Sequence, residues 1–326
     1  MSVIIADPEA AVTLLAGGNL CAIPTETVYG LAADASNSKA VARIFAAKRR
    51  PLNHPLIVHV ADLPAALKWV QSLPDWAEKL AQTCWPGPLT LVANRSELAS
   101  DQITGGQDTV AVRVPNHPLT LDLLRKLRER GILGLVAPSA NLFGQVSPTN
   151  AQHVVSDLGS YLAENGDAVL DGGSCSVGIE STIVLATGEQ PVILRPGAIT
   201  GEIIETLTGK NVVLEPGNTP RVSGALDSHY APSAEVKIVA SSHADNYLPK
   251  SGFIALAQIP TPEGLVRLAS PETASDFASC LYQSMRYGDE LKLVNIYLVL
   301  PDATGIGEAI KDRASKAAQP KVRGNS

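Results

Sequence analysis

Lys48, Arg50, Arg113 and Arg195, with Thr27, Ser139, Ser147 and Ser181, are the residues of this 326-residue sequence whose types and placement could do chemistry. Each is expected at a strand end, or on an outward strand face, of one α/β region. Guanidinium and ammonium groups combined with hydroxyls suit an anionic ligand that carries phosphates and a carboxylate. Nothing marks a protein nucleophile or a metal enzyme, since GxSxG, HExxH and CxxC do not occur. The glycine-rich GGSCSVGIESTI (172–183) matches neither GxxxxGK[ST] nor GxGxxG, and in TGIGEAI the third glycine position after Gly305 and Gly307 is Ile310. A phosphate loop of the P-loop type is therefore excluded, although nucleotide binding is not.

The elements that must position these residues alternate along 1–200. PEAAVTLLAGG, NLCAIPT, SKAVARIFAAKRR, PLIVHV and LPAALKWVQSL switch between helical and strand patterns, which predicts α/β or α+β layers. In TVAVRVP (109–115) strict alternation puts Val110, Val112 and Val114 on one face and Thr109, Ala111 and Arg113 on the other. STIVLATGEQPVILRPG (181–197) predicts a hairpin turning at Thr187–Gln190, which brings Ser181 and Arg195 to one end of the ribbon. SPTNAQHVVSDLG (147–159) predicts a helix with Ser147 as N-cap and Pro148 at its first position, so Ser147 caps the helix, faces a ligand, or does both. IPTETVYGL places Thr25, Glu26, Thr27 and Tyr29 in a loop after a strand, either a structural turn or a ligand loop. Lys48, Arg49 and Arg50 close a helix, where they complement its dipole or bind a polyphosphate. His54 and His59, five residues apart on a predicted strand, point to opposite faces, which argues against shared metal ligation.

Composition sets outer bounds. Apolar residues make up 45%, charged residues 18% and aromatic residues 4%, a globular chain with an aliphatic interior and length for two domains. The net charge of −6 disfavours a body that grips nucleic acid through many phosphates. Cys21, Cys84, Cys175 and Cys280 lie far apart and are expected as free thiols. No basic leader precedes an apolar stretch, and no uncharged run approaches the roughly 20 residues of a membrane span, so the cytoplasm is the expected compartment. Residues 206–235, rich in Gly, Pro, Ser and Asn, are the expected linker. Beyond them VKIVA, FIALAQ and VNIYLVL predict strands, and SDFASCLYQSMRYGDE and GIGEAIKDRASKAA predict helices, giving a second α/β domain.

PTETVYGL, KRRP…HPLIVH, WPGPLTLV, TVAVRVPNHP, APSAN…G…SPT, GIESTI and ILRPG, in this order over roughly residues 8–200, resemble the YrdC-type L-threonylcarbamoyladenylate synthases. SHYAPSA (228–234) and the α/β segment after it resemble the longer, two-domain form. The resemblance implies a twisted mixed sheet whose helices form a concave site, and a smaller Rossmann-like α/β domain. Its implied boundaries are 1–205 for the catalytic domain, 206–235 for a linker or lid, 236–316 for the C-terminal domain and 317–326 for a disordered tail. The implied reaction joins L-threonine, bicarbonate or CO2, and ATP into threonylcarbamoyl-AMP and diphosphate, a nucleotidyl transfer using Mg2+ with ATP and no organic cofactor. Other proteins, tRNA threonylcarbamoyl-transferases, would then place the group on the adenosine beside the anticodon, so tRNA is an indirect partner and no membrane is involved. By the family pattern Thr27, His59, Arg113, Ala137 and Ser181 contact threonine, while Arg50, His54, Thr109, Ser139, Ser147, Arg195 and Tyr230 contact ATP. Lys48 and Arg50 lend electrostatic support, with no covalent nucleophile and no metal-holding side chain. Many members have Asn where this chain has His54; both can donate a hydrogen bond. Two rivals are an RNA-binding module of the same fold without catalysis, which the charge and sparse aromatics disfavour, and the carbamoyl-transfer enzyme of hydrogenase maturation, whose CxxC zinc fingers this chain lacks.

Overall fold

A computed structural model describes residues 3–213, 219–224, 229–240 and 247–319. In chain order the first unit contains β1 (Ile4–Ile5), α1 (Pro8–Ala16), β2 (Cys21–Ile23), β3 (Gly30–Asp34), α2 (Ser38–Lys48), β4 (Ile57–His59), α3 (Leu63–Ala66), α4 (Asp75–Cys84), β5 (Leu89–Asn94), α5 (Asp101–Thr104), β6 (Thr109–Arg113), α6 (Pro118–Glu129), β7 (Leu135–Val136), α7 (Ala151–Glu164), β8 (Ala168–Leu170), β9 (Thr182–Leu185), β10 (Val192–Arg195) and α8 (Gly201–Thr208). The second contains β11 (Glu235–Ile238), β12 (Ser251–Ile254), β13 (Val266–Ala269), α9 (Ala274–Glu290), β14 (Asn295–Leu298) and α10 (Ile306–Ala317).

The first unit's strands form one sheet in the order β1-β8-β2-β3-β7-β4-β6-β5-β9-β10. It is mixed: β4 runs parallel to β6, while β7 lies antiparallel to both β3 and β4. The alternation read in TVAVRVP holds, with Val110, Val112 and Val114 in the core at 2% exposure or less. The hairpin also forms, pairing β9 with β10 through a register shift between Ile193 and Arg195. In the second unit β11-β14-β12-β13 are all parallel, the arrangement of a Rossmann-like layer. The strand β13, which no sequence signal announced, forms its edge. All four cysteines are free, Cys21 and Cys175 buried. Among the described residues no helix is long and apolar enough to cross a membrane.

Two local expectations fail. The helix after Pro148 starts at Ala151 and is capped by Asn150, whose side chain accepts from His153 N–H. Ser147 cannot cap it, because its hydroxyl donates to Glu180 Oε1 at 2.6 Å and the next carbonyl, Pro148 O, accepts from Tyr29 N–H. Tertiary partners outbid the local cap. His54 lies in the turn before β4 and not on the strand, so its separation from His59 is not a matter of strand faces.

The junction is continuous with the first unit further than composition suggests: α8 runs to Thr208, and Val213 N–H still donates to Pro191 O. Residues 214–218 and 225–228 of the expected linker, and 320–326 of the expected tail, lie outside the described residues.

Candidate functional site

Where β4 and β6 end side by side, His59 pairs in register with Arg113. Arg113 approaches Glu26 at 2.8 Å, both side chains about 5% exposed. Glu26 is held there because Thr25 Oγ1 accepts from the N–H groups of Thr27 and Val28, a side-chain turn that aims residue 26 across the sheet. The loop comes close to the segment 137–139 only because residue 30 is glycine: a Cβ there would sit 3.0 Å from that of Ala137. His59 is buried, and burial, reinforced by the Arg113 charge, lowers its pKa to about 3. Its Nδ1 bonds to Ile57 O at 3.1 Å. A carbonyl only accepts, so Nδ1 carries the proton and Nε2 is left as an acceptor.

The adjoining wall is built from the end of α2. Arg49 adopts φ 51°, and this left-handed cap turns Arg50 off the helix axis. Lys48 is buried, its ammonium donating to Ser139 O and Asn141 O at 2.5 Å each. It braces the Ser139 loop rather than reaching into open space. Burial and the neighbouring Arg50 charge hold its pKa well below that of an ordinary lysine. Arg50 donates to Pro55 O at 3.0 Å and lies 5.6 Å from the Phe143 ring centroid. Phe143 meets His54 on one side and His229 on the other, edge to face.

The opposite wall comes from the hairpin. Arg195 donates to Ser181 O from two nitrogens, at 3.1 and 2.9 Å, and to Ser223 O at 2.8 Å. Ser181 Oγ lies 2.8 Å from Thr90 Oγ1. Next to Ser181, the Glu180 carboxylate receives Ser147, Tyr282 and Arg313, the last two from the second unit. Burial by itself would raise the Glu180 pKa; Arg313 and Arg195, with the Ser147 hydrogen bond, hold it down to about 2. Tyr230 closes the site at φ 64°, stacked on Tyr282 with ring centroids 5.6 Å apart. A tyrosine keeps such a backbone only where its surroundings hold it.

Thr27, His59, Arg113, Ala137, Ser139, Arg195 and Tyr230, seven of the expected residues, thus line one cleft. The others stand around it. Lys48, Arg50 and His54 form the wall behind Ser139 and His229, Ser181 lies behind Arg195, and Ser147 behind Glu180. Thr109 faces a neighbouring cavity, covered by Arg221, Val222 and Ser223. The cleft's interior volume is about 40 Å³, room for a few waters at most, with His229 and Tyr230 among its lining residues. Among the described residues, buried polar atoms without a hydrogen bond stand near it: Arg50 Nε, Asn141 Oδ1, His229 Nδ1 and the Tyr230 hydroxyl. Native proteins leave few such groups, and a cluster of them marks a place where a polar ligand is expected.

Phe143, Glu180, His229, Tyr282 and Arg313 are participants that the sequence does not single out, and Glu26, expected in a turn or ligand loop, is the partner of Arg113. Glu180 and His229 lie inside quoted motifs, GIESTI and SHYAPSA, and were passed over for their neighbours. Tyr282 and Arg313 sit in ordinary amphipathic helices and carry no sequence signal. For a divalent metal the described residues provide no cluster of three His, Cys, Asp or Glu. The two cleft carboxylates are already engaged, Glu26 by Arg113 and Asn116 N–H, Glu180 by its three donors.

With this geometry in hand, comparison with known proteins is informative. The Sua5_yciO_yrdC family model, described as "Telomere recombination", matches residues 13–197. The model of "Threonylcarbamoyl-AMP synthase, C-terminal domain" matches 199–319. The chain is 37% identical to the threonylcarbamoyl-AMP synthase of Pyrococcus abyssi, over 94% of this chain and 92% of that one. It is 38% identical to that of Bacillus subtilis, over 97% and 94%. The crystal structure of P. abyssi Sua5 complexed with L-threonine matches with a TM-score of 0.85 at 34% identity, covering 98% of this chain and 97% of that one. The chain belongs to the Sua5/YciO/YrdC family, in the two-domain form that carries the threonylcarbamoyl-AMP synthase C-terminal domain.

Proposed function

We propose that this chain is a cytoplasmic L-threonylcarbamoyladenylate synthase, a nucleotidyltransferase that converts L-threonine, bicarbonate or CO2, and ATP into threonylcarbamoyl-AMP and diphosphate. The observation that carries this reading is the gathering of Arg113, His59 and Thr27 with Ser139, Arg195 and Tyr230 in one cleft. It is further supported by the similarity, over nearly the whole chain, to a P. abyssi protein crystallised with L-threonine.

Threonine's neutral amine attacks CO2, the N–C bond forming as one C=O π bond opens and the surplus N–H proton passes to solvent, which gives a carbamate; a carbamate oxygen then attacks the α-phosphorus of ATP as the bond to diphosphate breaks. Both nucleophiles belong to the substrates, so the protein needs no nucleophile of its own. Its task is orientation, worth up to about 7–11 kcal/mol in favourable cases, and a cationic environment for developing charge. Thr27, His59, Arg113, Ala137 and Ser181 take the threonine end. The free Nε2 of His59 suits an N–H of the amine, which must be unprotonated to react, and Arg113 suits a carboxylate. Arg50, His54, Thr109, Ser139, Ser147, Arg195 and Tyr230 take the nucleotide, with Lys48 holding the Ser139 loop. Mg2+ arrives with the nucleotide and is held by its phosphates, since both cleft carboxylates are engaged.

ATP needs far more than 40 Å³, so the cleft must widen to admit it, with Tyr230 kept as one of its walls. Re-closure over the substrates would shield the water-sensitive carbamate. The product then passes to separate transferases that modify tRNA. Incubation with threonine, bicarbonate and Mg-ATP, followed by mass detection of the adenylate, tests the reading. Adenylate that depends on threonine is expected; its absence, or formation without threonine, overturns it.

A further inference from the structure

Glu180 poses an electrostatic problem. Its carboxylate lines a cleft otherwise equipped with cations and suited to phosphates, and an ionised carboxylate beside a polyphosphate repels it. Arg195 of the first unit contributes to answering the charge, but the larger part comes from outside that unit. Arg313 of α10, with no exposed surface, donates to Glu180 Oε2 from Nε at 2.9 Å, and Tyr282 of α9 donates to the same oxygen at 2.8 Å. Arg313 is itself fixed by Asp312 at 2.6 Å and by Pro196 O at 3.0 Å. The other Glu180 oxygen holds the Ser147 hydroxyl at 2.6 Å.

The same two residues hold Tyr230. The Tyr282 ring stacks on it, and the Arg313 guanidinium lies 5.5 Å from its centroid. The units approach this closely because residue 178 is glycine at φ 75°: a Cβ there would lie 2.5 Å from Ser279 Cα of α9. Two walls of the cleft, the Glu180–Ser147 pair and Tyr230, thus lean on side chains of the C-terminal unit.

We propose that Arg313 and Tyr282 are positioning residues of the nucleotide end of the site: they neutralise and orient Glu180, so that Ser147 and Tyr230 are set for ATP while threonine binding is left alone. The proposal rests on the synthase reading above and assigns to the second domain a specific part in that reaction. A buried pair can instead serve only to staple two domains, and the two roles differ in which substrate suffers: a staple has no reason to spare threonine. When one partner of a buried ion pair is removed the other is left uncompensated, whereas removing both charges is close to neutral.

The test uses the full chain. KM for ATP and for threonine are measured in adenylate formation, threonine affinity by calorimetry, and folding by thermal melting. Arg313→Met is expected to raise KM for ATP at least about tenfold, the scale of a lost charge-assisted contact, with threonine affinity within about twofold of wild type. Adding Glu180→Gln to Arg313→Met removes the stranded charge and is expected to recover most of the loss. Equal damage to both substrates overturns the proposal in favour of a staple, and no recovery in the double variant overturns it because the stranded Glu180 charge is then not the cause of the loss. If Arg313→Met does not fold, Tyr282→Phe keeps the ring stack and removes only the hydrogen bond to Glu180. A KM for ATP raised about threefold is then expected, and an unchanged value overturns the proposal. Wild-type protein that makes no adenylate counts against the synthase reading; active wild type with variants that match it counts against this inference alone.

Discussion

The two units of the molecule bury polar groups for different ends. In the first, Glu26, Lys48, Arg50, His59, Arg113, Glu180 and Arg195 are all buried, and all stand in or around one cleft. In the second, among the described residues, Arg313 is the only buried charged side chain, and it reaches out of its own unit to Glu180. The rest of the second unit's buried set is uncharged, with Phe253, Phe277, Tyr282 and Ile296 at 1% exposure or less and only Ser251, Ser284 and Asn295 as further buried polar side chains among the described residues. Because burying a charge costs several kcal/mol unless it is paired, its location shows where a fold spends stability on something other than folding. Here that place is mostly the cleft and the seam that touches it; Asp167, buried against Arg43 at 2.6 Å, is a structural exception in the first unit.

Substitution at Arg113 should show the largest contrast. Arg113→Ala is expected to lower threonine-dependent adenylate formation at least about a hundredfold, and to lower the melting temperature because Glu26 is stranded. Pairing Arg113→Met with Glu26→Gln should restore the melting temperature but not the activity. Activity near wild type in either protein would break the link between buried charge and function.

A second interface arginine sharpens the distinction. Arg286 of α9 pairs with Asp157 of α7 at 2.6 Å and also donates to Val146 O, yet neither Arg286 nor Asp157 lines the cleft. Asp157→Asn is expected to cost about 1–3 kcal/mol in urea unfolding with KM for ATP unchanged. A raised KM would mean that any disturbance of the seam reaches the site, and Arg313 would lose its special standing.

The smallest effect concerns acid. Burial lowers the pKa of His59 and His229 to about 3, and that of His153 to about 4, from 6.5. Between those values and 6.5 the unfolded chain binds more protons than the folded one, so this stability is complete above pH 6.5 and is lost as pH falls. Going from about pH 7.5 to about pH 5.5 should lower the urea midpoint, each histidine contributing at most about 1.4 kcal/mol per pH unit. His153→Gln should reduce the slope. The described part of the second unit has no histidine, so the acid-sensitive step is assigned to the first unit and the seam; a flat profile would contradict that.

Much of this was legible in the residues. The alternation in TVAVRVP placed Arg113 opposite the core valines, and the hairpin brought Ser181 beside Arg195, because strand periodicity and turn chemistry are local. Ser147 is the instructive failure: Ser-Pro ahead of a helical pattern is a sound cap signal, but a buried carboxylate 33 residues away and a backbone N–H from residue 29 claimed that stretch first. No short-range rule contains those partners.

The sequence by itself determined the layered α/β units, the polar loops at the strand ends, and, through ordered motifs, the family. Those features depend on period, turn residues and side-chain type, all of which act over a few positions. Only the tertiary structure decided that Lys48 braces a loop, that Glu26 and Glu180 are each answered by an arginine, and that the answer to Glu180 comes from the second domain. Charges that meet across 87 residues, as Glu26 and Arg113 do, or across 133, as Glu180 and Arg313 do, are brought together by packing within and between the two cores, and no local pattern records that meeting.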